Sequence, residues 1–367
     1  MDLAPRPLPL LTASLPGTGG AIRVSEEDFR VEELPLYLPS GAGDHLYVEI
    51  EKRGRNTADV ARELATALGA APRDIGYAGL KDKRAVAVQR LSVPIPPKQA
   101  GEELILRAAN LEGQGFRVLG VARHGNKLKP GHLRGNRFTL AVRGCALEGD
   151  ALLGRASAIC ERLRESGVPN FFGPQRFGQR SDNAAIGAAI LLRAPEGQRA
   201  GRDRFLRRMS LSALQAELFN RCLAARLQDG LFAAALDGDV LKKRATGGLF
   251  VCEDPAADAP RVASGEVDPC GPLPGHSIYA ARGAALRREE AVIAEAGLDP
   301  RTFAVGGEEM SGTRRPYRVA IEDLSVEPLD DPHAFELSFG LPKGSYATSV
   351  LREVMKEGAS LDGEPED

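Results

Sequence analysis

Alternation of polar and apolar residues predicts several strands in the first part of the chain. Residues 21–31 alternate charged and apolar side chains, a pattern typical of an edge strand. Residues 46–50, with the sequence LYVEI, are richer in β-branched and aromatic side chains and predict a stronger strand. The same criteria predict strands at residues 86–93, 116–122 and 137–142.

The clearest helix begins near residue 57. Val60, Leu64 and Leu68 recur at the four-residue spacing that places side chains on one helical face. Thr57 is suited to cap the N terminus, and Gly69 stands where a glycine commonly ends a helix. The sequence therefore predicts a helix between Thr57 and Gly69.

From residue 151 onward the pattern favours helices. Residues 151–165 have helical periodicity, and residues 184–227, rich in Ala, Leu and Arg, predict two or more helices. Residues 253–275 are rich in Pro, Gly, Ala and Asp and predict a loop.

Strand patterns return towards the C terminus, at residues 317–321 and 334–339, before a last helix at about residues 349–357. The acidic end, residues 358–367, predicts a disordered tail. We therefore expect a helical domain inserted into a sheet-based one, so that both ends of the chain build the same α+β core.

Length and composition add limits to this picture. A chain of 367 residues exceeds what one hydrophobic core commonly fills, so two domains are expected. The apolar fraction of 43% and the charged fraction of 27% are ordinary for a globular protein, and the formal net charge is −2. A surface that binds nucleic acid would therefore need a local concentration of positive charge.

Several classes of site and location are disfavoured. The five cysteines are scattered without a CxxC pair, so neither disulfides nor a zinc site is expected. The glycine patterns of P-loop and Rossmann nucleotide sites are absent. Prolines interrupt the N-terminal segment where a signal peptide needs an apolar run, and no stretch approaches the roughly 20 apolar residues of a membrane helix. A reduced cytoplasmic location without membrane attachment is therefore expected.

Residues 76–89, GYAGLKDKRAVAVQ, hold the most informative polar cluster. They predict two strands joined by a tight, charged connection, in which Asp82 stands among Lys81, Lys83 and Arg84. Nearby cations favour the ionised form of a carboxylate, and such a carboxylate suits attack on a substrate that carries phosphates. A solvated turn with surface ion pairs is the commoner outcome on composition alone, so both interpretations stay open at this point.

Positive charge and aromatic residues give two further signals. Residues 113–147 contain no acidic residue, which indicates either an RNA-binding face or a solvated, Arg-rich strand pair. The cations in this segment are Arg117, Arg123, Lys127, Lys129, Arg134, Arg137 and Arg143. Aromatic side chains beside glycine, asparagine or charge are candidates for stacking on RNA bases, although core burial is their commoner fate. These residues are Phe29, Phe138, Phe171, Phe172, Phe177 and Tyr346.

The segment GYAGLKDKRAV resembles the signature of TruD-type pseudouridine synthases, with Asp82 at the position of their catalytic aspartate. Further segments similar to this family occur in family order along the chain. They are EDFRVEE (27–33), GAGDHLYV (41–48), KRGRNT (52–57), RHGNKLKPGHLRGNRF (123–138), GVPNFFGPQRFG (167–178), LSALQAELFN (211–220), GPLPG (271–275) and LSFGLPKGSYATSVLRE (337–353).

The resemblance implies a fold. It is an α+β pseudouridine-synthase core with a mixed or antiparallel sheet in permuted order, carrying an inserted α/β, helix-rich domain. On this basis residues 1–166 form the first part of the catalytic core, and residues 167–313 form the inserted TRUD domain. Residues 314–357 complete the core, and residues 358–367 form the acidic tail.

The resemblance also implies a reaction, the isomerisation of uridine at position 13 of tRNA to pseudouridine. The glycosidic C–N bond breaks, the uracil rotates, and a C–C bond forms, without cofactor or metal. The uridine would have to be flipped out of the RNA stack to reach the aspartate. The implied partner is tRNA, with no protein partner, and a monomer is expected.

Five residues take functional roles from this resemblance. Asp82 corresponds to the nucleophile, and Phe29 to the aromatic residue that helps to hold the target nucleotide. Asn136 and Phe138, in GNRF, correspond to substrate-contacting residues, and Tyr346 stands where the family often has Phe.

Charge and motif also suggest Lys81, Arg123 and Lys127 as contacts for RNA phosphates, with Lys81 and Arg123 as alternative partners of Asp82. A non-catalytic RNA-binding or tRNA-remodelling protein would share the basic segment and the aromatic residues. A carboxylate among cations argues against it, because a carboxylate repels phosphate. A metal-dependent nuclease would need further clustered carboxylates, which the sequence does not offer.

Overall fold

The fold is that of a computed structural model, which describes residues 3–96 and 101–356. The predicted acidic tail at residues 358–367 lies outside the described residues, as does Glu357 at the end of the predicted last helix. No helix in the described ranges is long and apolar enough to cross a membrane.

Strands and helices are numbered in chain order. The strands are β1 (Phe29–Pro35), β2 (His45–Lys52), β3 (Gly76–Tyr77), β4 (Val86–Pro94), β5 (Glu112–Gly113), β6 (Phe116–His124), β7 (Leu133–Val142), β8 (Val168–Pro169), β9 (Val240–Lys243), β10 (Leu249–Val251), β11 (Val267–Leu273), β12 (Thr313–Pro316), β13 (Arg318–Val319), β14 (Glu322–Pro328) and β15 (Phe335–Pro342). The α-helices are α1 (Thr57–Leu68), α2 (Gly101–Ala109), α3 (Gly149–Ser166), α4 (Asn183–Leu191), α5 (Pro195–Arg202), α6 (Arg204–Gln228), α7 (Pro255–Ala263), α8 (Gly283–Glu295) and α9 (Ala347–Met355). Short 3₁₀ segments span Glu26–Asp28, Pro72–Asp74, Pro174–Phe177 and Pro300–Met310.

The chain divides into two compact units, each assembled from separate stretches of sequence. Within the described residues, the sheet unit comprises Leu15–Glu161, Ile321–Ala347 and the residues from Val354 onward. The helix-rich unit comprises the residues up to Ser14, then Arg162–Ala320 and Thr348–Glu353. The functional domain bounds drawn from the sequence, at residues 166 and 313, stay predictions.

The sheet unit is built on a mixed sheet to which early and late parts of the chain contribute. Among the described residues it has nine strands in the order β14-β15-β7-β1-β4-β2-β6-β5, with β3 beside β4. β1 and β4 run parallel, and β15 pairs antiparallel with β7 along its whole length. Strands from both ends of the chain therefore share one sheet, and the predicted α+β class is confirmed.

The alternating pattern near residue 30 belongs to a central strand, so the prediction of an edge strand is wrong. β1 lies between β7 and β4. Phe29, Val31 and Glu33 are buried on one face of the sheet, whereas Arg30 and Glu32 are exposed on the other. The alternation reflects a sheet with one covered face, which a strand shows whether it is central or at an edge.

Helices α1 and α2 cover the buried face of β2, β4 and β6. The three apolar residues predicted for one face of α1 are fully buried in this cluster. The helix has the predicted extent, but its N-cap is Asn56 and Thr57 is its first residue. Thr57 is therefore not the cap, and its buried hydroxyl takes another role described below.

The helix-rich unit packs its helices with a four-stranded antiparallel sheet of order β10-β9-β11-β12. Its interior contains buried ion pairs as well as apolar contacts, such as Arg226 with Asp239 at 2.8 Å and Arg318 with Asp268 at 2.6 Å. Removing one partner of such a buried pair strongly destabilises the protein, because the remaining charge is left uncompensated.

The loop predicted at residues 253–275 is wrong, because this segment forms α7 and β11. Asp254 caps α7 by accepting hydrogen bonds from two backbone N–H groups, and Pro255 occupies the first turn. Asp and Pro are both favourable at a helix start, so the composition that indicated a loop instead marks the start of a helix.

Candidate active site

Asp82 lies on the connection between β3 and β4, and its side chain is held at both carboxylate oxygens. The backbone N–H of Arg84 donates to Oδ1 at 2.9 Å, and the guanidinium of Arg23 donates to Oδ2. The Asp82 side chain is 27% exposed, so the carboxylate is oriented by the protein yet accessible from one side. This combination suits a group that reacts with a substrate.

Arg23 is a functional candidate that the sequence did not reveal. Its guanidinium is mostly buried and lies over the ring of Phe29, 4.3 Å from the ring centroid, while it also pairs with Asp82. The backbone of Arg23 has a φ of +59°, a conformation that is uncommon for a non-glycine residue. Because 59 positions separate Arg23 from Asp82, only the fold places this cation beside the carboxylate.

The side chain of Lys81 is buried and binds Glu33 rather than the side chain of Asp82. Its ammonium donates to Glu33 at 2.7 Å, with 5% and 4% of the two side chains exposed. The placement does not support Lys81 as a phosphate contact, because a phosphate would have to break a buried ion pair. The cations next to Asp82 that are exposed are Lys83 and Arg84.

Phe29 and Phe138 meet on the buried face of the sheet. Their rings make an edge contact with centroids 6.3 Å apart, and Phe138 also packs against Phe339 of β15 at 5.4 Å. Since Arg23 lies over Phe29 and binds Asp82, the structure joins Asp82, Phe29 and Phe138 in one contiguous set. The two rings are almost fully buried and form an apolar surface beneath Arg23.

Asn136 lies on the same face of β7 as Phe138, opposite Glu33 on β1. Its side-chain oxygen Oδ1 is buried and has no hydrogen-bond partner within the described part of the chain. A buried acceptor needs a hydrogen-bond donor, which water, an ion or a ligand supplies where the protein does not. Tyr346, half-buried beyond the end of β15, makes no ring contact or hydrogen bond with Asp82 or Phe138 among the described residues.

Removing the amide of Asn136 is expected to lower activity without lowering stability. Asn136→Leu should reduce kcat/KM by about 10- to 100-fold, as expected for losing a buried hydrogen bond to substrate. Thermal unfolding should stay level or rise, because the substitution removes a buried oxygen without a partner. Thr139→Val is the matched control, since Thr139 lies on the same strand and opposes Ser338 on the other face. Equal activity of both variants would contradict a substrate contact at Asn136.

The two remaining predicted phosphate contacts bind the chain itself. Arg123 donates through Nε and Nη2 to the carbonyl of Gly43, at 3.0 and 2.7 Å. Lys127 donates through Nζ to the carbonyl of Arg73 at 2.9 Å. Each bond leaves the cation with its charge, so a role in binding RNA stays a prediction for both residues.

Most cations of residues 113–147 form ion pairs with carboxylates from elsewhere in the chain. The pairs are Arg117–Glu51 at 3.2 Å, Arg134–Glu322 at 3.3 Å, Arg137–Asp323 at 2.7 Å and Arg143–Asp28 at 2.8 Å. Only Arg123, Lys127 and Lys129 of the seven cations lack a carboxylate partner within the described residues. The positive surface that the sequence indicated is therefore smaller than the run of cations suggests.

One of these pairs has a consequence for stability at low pH. Burial raises the pKa of Asp28, but hydrogen bonds from Arg143 and Ser25 outweigh burial and hold that pKa below its usual value. A depressed carboxyl pKa contributes stability above the unfolded pKa, and this contribution is lost as the pH falls through the folded pKa.

Three of the aromatic candidates for RNA stacking are core residues. Phe171, Phe172 and Phe177 are each at least nine-tenths buried in the helix-rich unit. Phe172 packs edge-on against Phe219 at 5.6 Å and lies beneath the guanidinium of Arg315 at 4.1 Å. Core burial, the commoner alternative for such residues, therefore applies to all three. No cluster of three or more His, Cys, Asp or Glu side chains suited to a metal ion occurs in the described ranges.

Comparison with known proteins identifies the family. The profile of the family described as tRNA pseudouridine synthase D (TruD) matches residues 8–199 and 202–354. A tRNA pseudouridine synthase D from Anaeromyxobacter sp. (strain Fw109-5) is 56% identical over 364 residues, which are 98% of this chain and 99% of that protein. One from Thermus thermophilus is 44% identical over 369 residues, covering 100% of this chain and 98% of the relative.

A solved structure supports the same conclusion at the level of the fold. The crystal structure of a protein titled putative tRNA pseudouridine synthase D (TruD), from Methanosarcina mazei, superposes with a TM-score of 0.77 at 26% identity. The superposition covers 96% of this chain and 97% of that one. Since sequence and structure agree over nearly the whole length, this chain belongs to the tRNA pseudouridine synthase D (TruD) family.

Proposed function

We propose that this chain is an isomerase that converts uridine at position 13 of tRNA to pseudouridine, with Asp82 as the nucleophile. Membership of the TruD family supports tRNA pseudouridylation as the activity. The observation that carries the role of Asp82 is its geometry: a partly exposed carboxylate, fixed at one oxygen by Arg23 and at the other by the N–H of Arg84.

The pair with Arg23 supports a nucleophilic role for Asp82. A guanidinium donates hydrogen bonds to a carboxylate in a fixed geometry, so Arg23 orients the Asp82 oxygen that it binds. Fixing both oxygens also limits the rotation of the side chain before reaction.

Base recognition fits the remaining residues of the set. Asn136 has an unsatisfied acceptor that matches the N3–H donor of uracil, and Phe29 and Phe138 give an apolar floor beneath it. Tyr346 is half-buried, and its ring is the candidate for stacking on the base. A base in a duplex hides its Watson–Crick edge, which carries N3–H, and both its faces, so this recognition needs a flipped uridine.

The reaction is balanced without an external reagent. The bond between ribose C1′ and uracil N1 breaks, and a bond from C1′ to uracil C5 forms. The proton on C5 leaves to solvent, and N1 gains a proton. Asp82 acts as nucleophile and is regenerated at the end, so no oxidant or reductant enters.

Release of the C5 proton gives a direct test of the proposal. An unmodified tRNA transcript made with [5-³H]UTP should release about one equivalent of tritium with the wild-type protein, because one uridine loses its C5 proton. The matched control is the same transcript with C at position 13, which should release none. Tight binding without release would favour the non-catalytic RNA-binding alternative. A cytoplasmic location and a monomeric state stay predictions from the sequence.

A further inference from the structure

Lys52 is a buried cation directly behind the nucleophile. It ends β2 with 0% of its surface exposed and is one of the largest fully buried side chains. Its ammonium donates to the backbone carbonyl of Asp82 at 2.6 Å and to that of Arg55 at 2.7 Å. Burying an ammonium is unfavourable unless its charge and its donors are used, so this placement calls for a specific reason.

Thr57 holds the same stretch of backbone from the adjacent position. Its hydroxyl accepts a hydrogen bond from the N–H of Lys81 at 3.0 Å, and the residue is 1% exposed. The hydroxyl also donates to Oε1 of buried Gln89 at 3.3 Å, which orients it. The N–H of Lys81 and the carbonyl of Asp82 are thus both tied to buried side chains.

We infer that Lys52 and Thr57 are positioning residues for the nucleophile, acting as a clamp on the Lys81–Asp82 backbone. Lys52 supplies a donor and Thr57 an acceptor, so the two bonds fix the backbone from which the Asp82 side chain projects. Neither residue is placed to touch the substrate, because both are fully buried. The inference rests on the proposed role of Asp82.

Single-turnover tritium release, with protein in excess over tRNA, tests this clamp. Lys52→Met keeps the length of the side chain and removes its charge and donors. The rate at saturating protein should fall by about 100-fold, as for a displaced reactive group, while tRNA affinity changes less than about twofold.

Thr57→Val is a second variant that keeps the inference testable where Lys52→Met does not fold. It removes the two neutral hydrogen bonds of the Thr57 hydroxyl and should lower the saturating rate by about tenfold without changing affinity. Leu64→Ala is the matched control for stability, since Leu64 is buried in the core of the same unit and makes no bond to the clamp. It should keep the wild-type saturating rate at temperatures where it stays folded.

The outcomes separate the clamp from the proposed function. Wild-type rates in folded Lys52→Met or Thr57→Val would overturn the clamp while leaving the role of Asp82 intact. A loss expressed only in tRNA affinity, with an unchanged saturating rate, would also overturn it, because a displaced nucleophile would lower that rate. An inactive wild-type protein would overturn the proposed function, and the clamp with it.

Discussion

Asp82→Asn is expected to abolish pseudouridine formation and to leave tRNA affinity almost unchanged. The amide has nearly the shape of the carboxylate but is not a nucleophile, so the saturating rate should fall by at least about 10⁴-fold, as for removal of other enzyme nucleophiles. Affinity should be preserved because phosphate contacts supply a large share of affinity in nucleic-acid-binding proteins, and this substitution removes no cation. Tritium release and filter binding on the same transcript measure the two quantities.

A matched control is Asp44→Asn, because Asp44 is an exposed aspartate of the same unit. It should retain the wild-type rate. If Asp82→Asn kept a rate within about tenfold of wild type, when nucleophile loss should cost far more, Asp82 would not be the nucleophile.

Arg23→Met should produce the second largest loss, about 100- to 1000-fold in the saturating rate. Truncating one partner of a partly buried ion pair costs several kcal/mol. Here the substitution would leave the Asp82 carboxylate without the side chain that orients it and without the positive charge beside it. The substitution also removes the guanidinium from the ring of Phe29.

Arg23→Lys gives the informative comparison for this prediction. Lysine keeps the positive charge but not the planar fork of donors, so it should recover part of the rate. Recovery to the full wild-type rate would show that charge alone matters. A Lys variant as poor as the Met variant would assign the effect to geometry, and a fully active Met variant would contradict a role for Arg23. Thermal unfolding of both variants shows whether the protein remains folded.

The local elements were well predicted where the pattern concerned one helix or one strand. The apolar spacing of α1 gave its extent, and the α+β class followed from strands at both ends of the chain. The position of a strand within a sheet is not local, so alternation at β1 could not distinguish an edge from the centre. At α7, Asp254 and Pro255 were taken for loop residues, although both also favour a helix start.

The candidate site was predictable only in part, because its electrostatics depend on residues far apart in sequence. The motif around Asp82 gave the carboxylate and the exposed cations that follow it. Arg23 binds the carboxylate of Asp82 from 59 positions away, and Lys52 binds its backbone carbonyl from 30 positions away. Lys52 begins the family-like segment KRGRNT, but that segment alone did not indicate a contact with Asp82. Lys81 shows the converse, since its partner Glu33 lies on another strand and removes it from the surface.

Net charge along a segment was also a poor guide to the surface. Residues 113–147 contain no acid, yet four of their cations pair with carboxylates of β2, of the 3₁₀ segment before β1, and of β14. Neighbouring strands of a sheet bring such charges together regardless of their distance in sequence. The electrostatic surface follows from the order of the strands, which the sequence alone does not specify.

The central claim is tested most directly by mapping pseudouridine at single-nucleotide resolution. An unmodified tRNA transcript is incubated with the wild-type protein or with Asp82→Asn, treated with carbodiimide, and read by primer extension. The account predicts one stop, adjacent to position 13, with the wild-type protein and none with the variant. A stop at a different uridine would contradict the proposed site, and the same stop with Asp82→Asn would contradict Asp82 as the nucleophile.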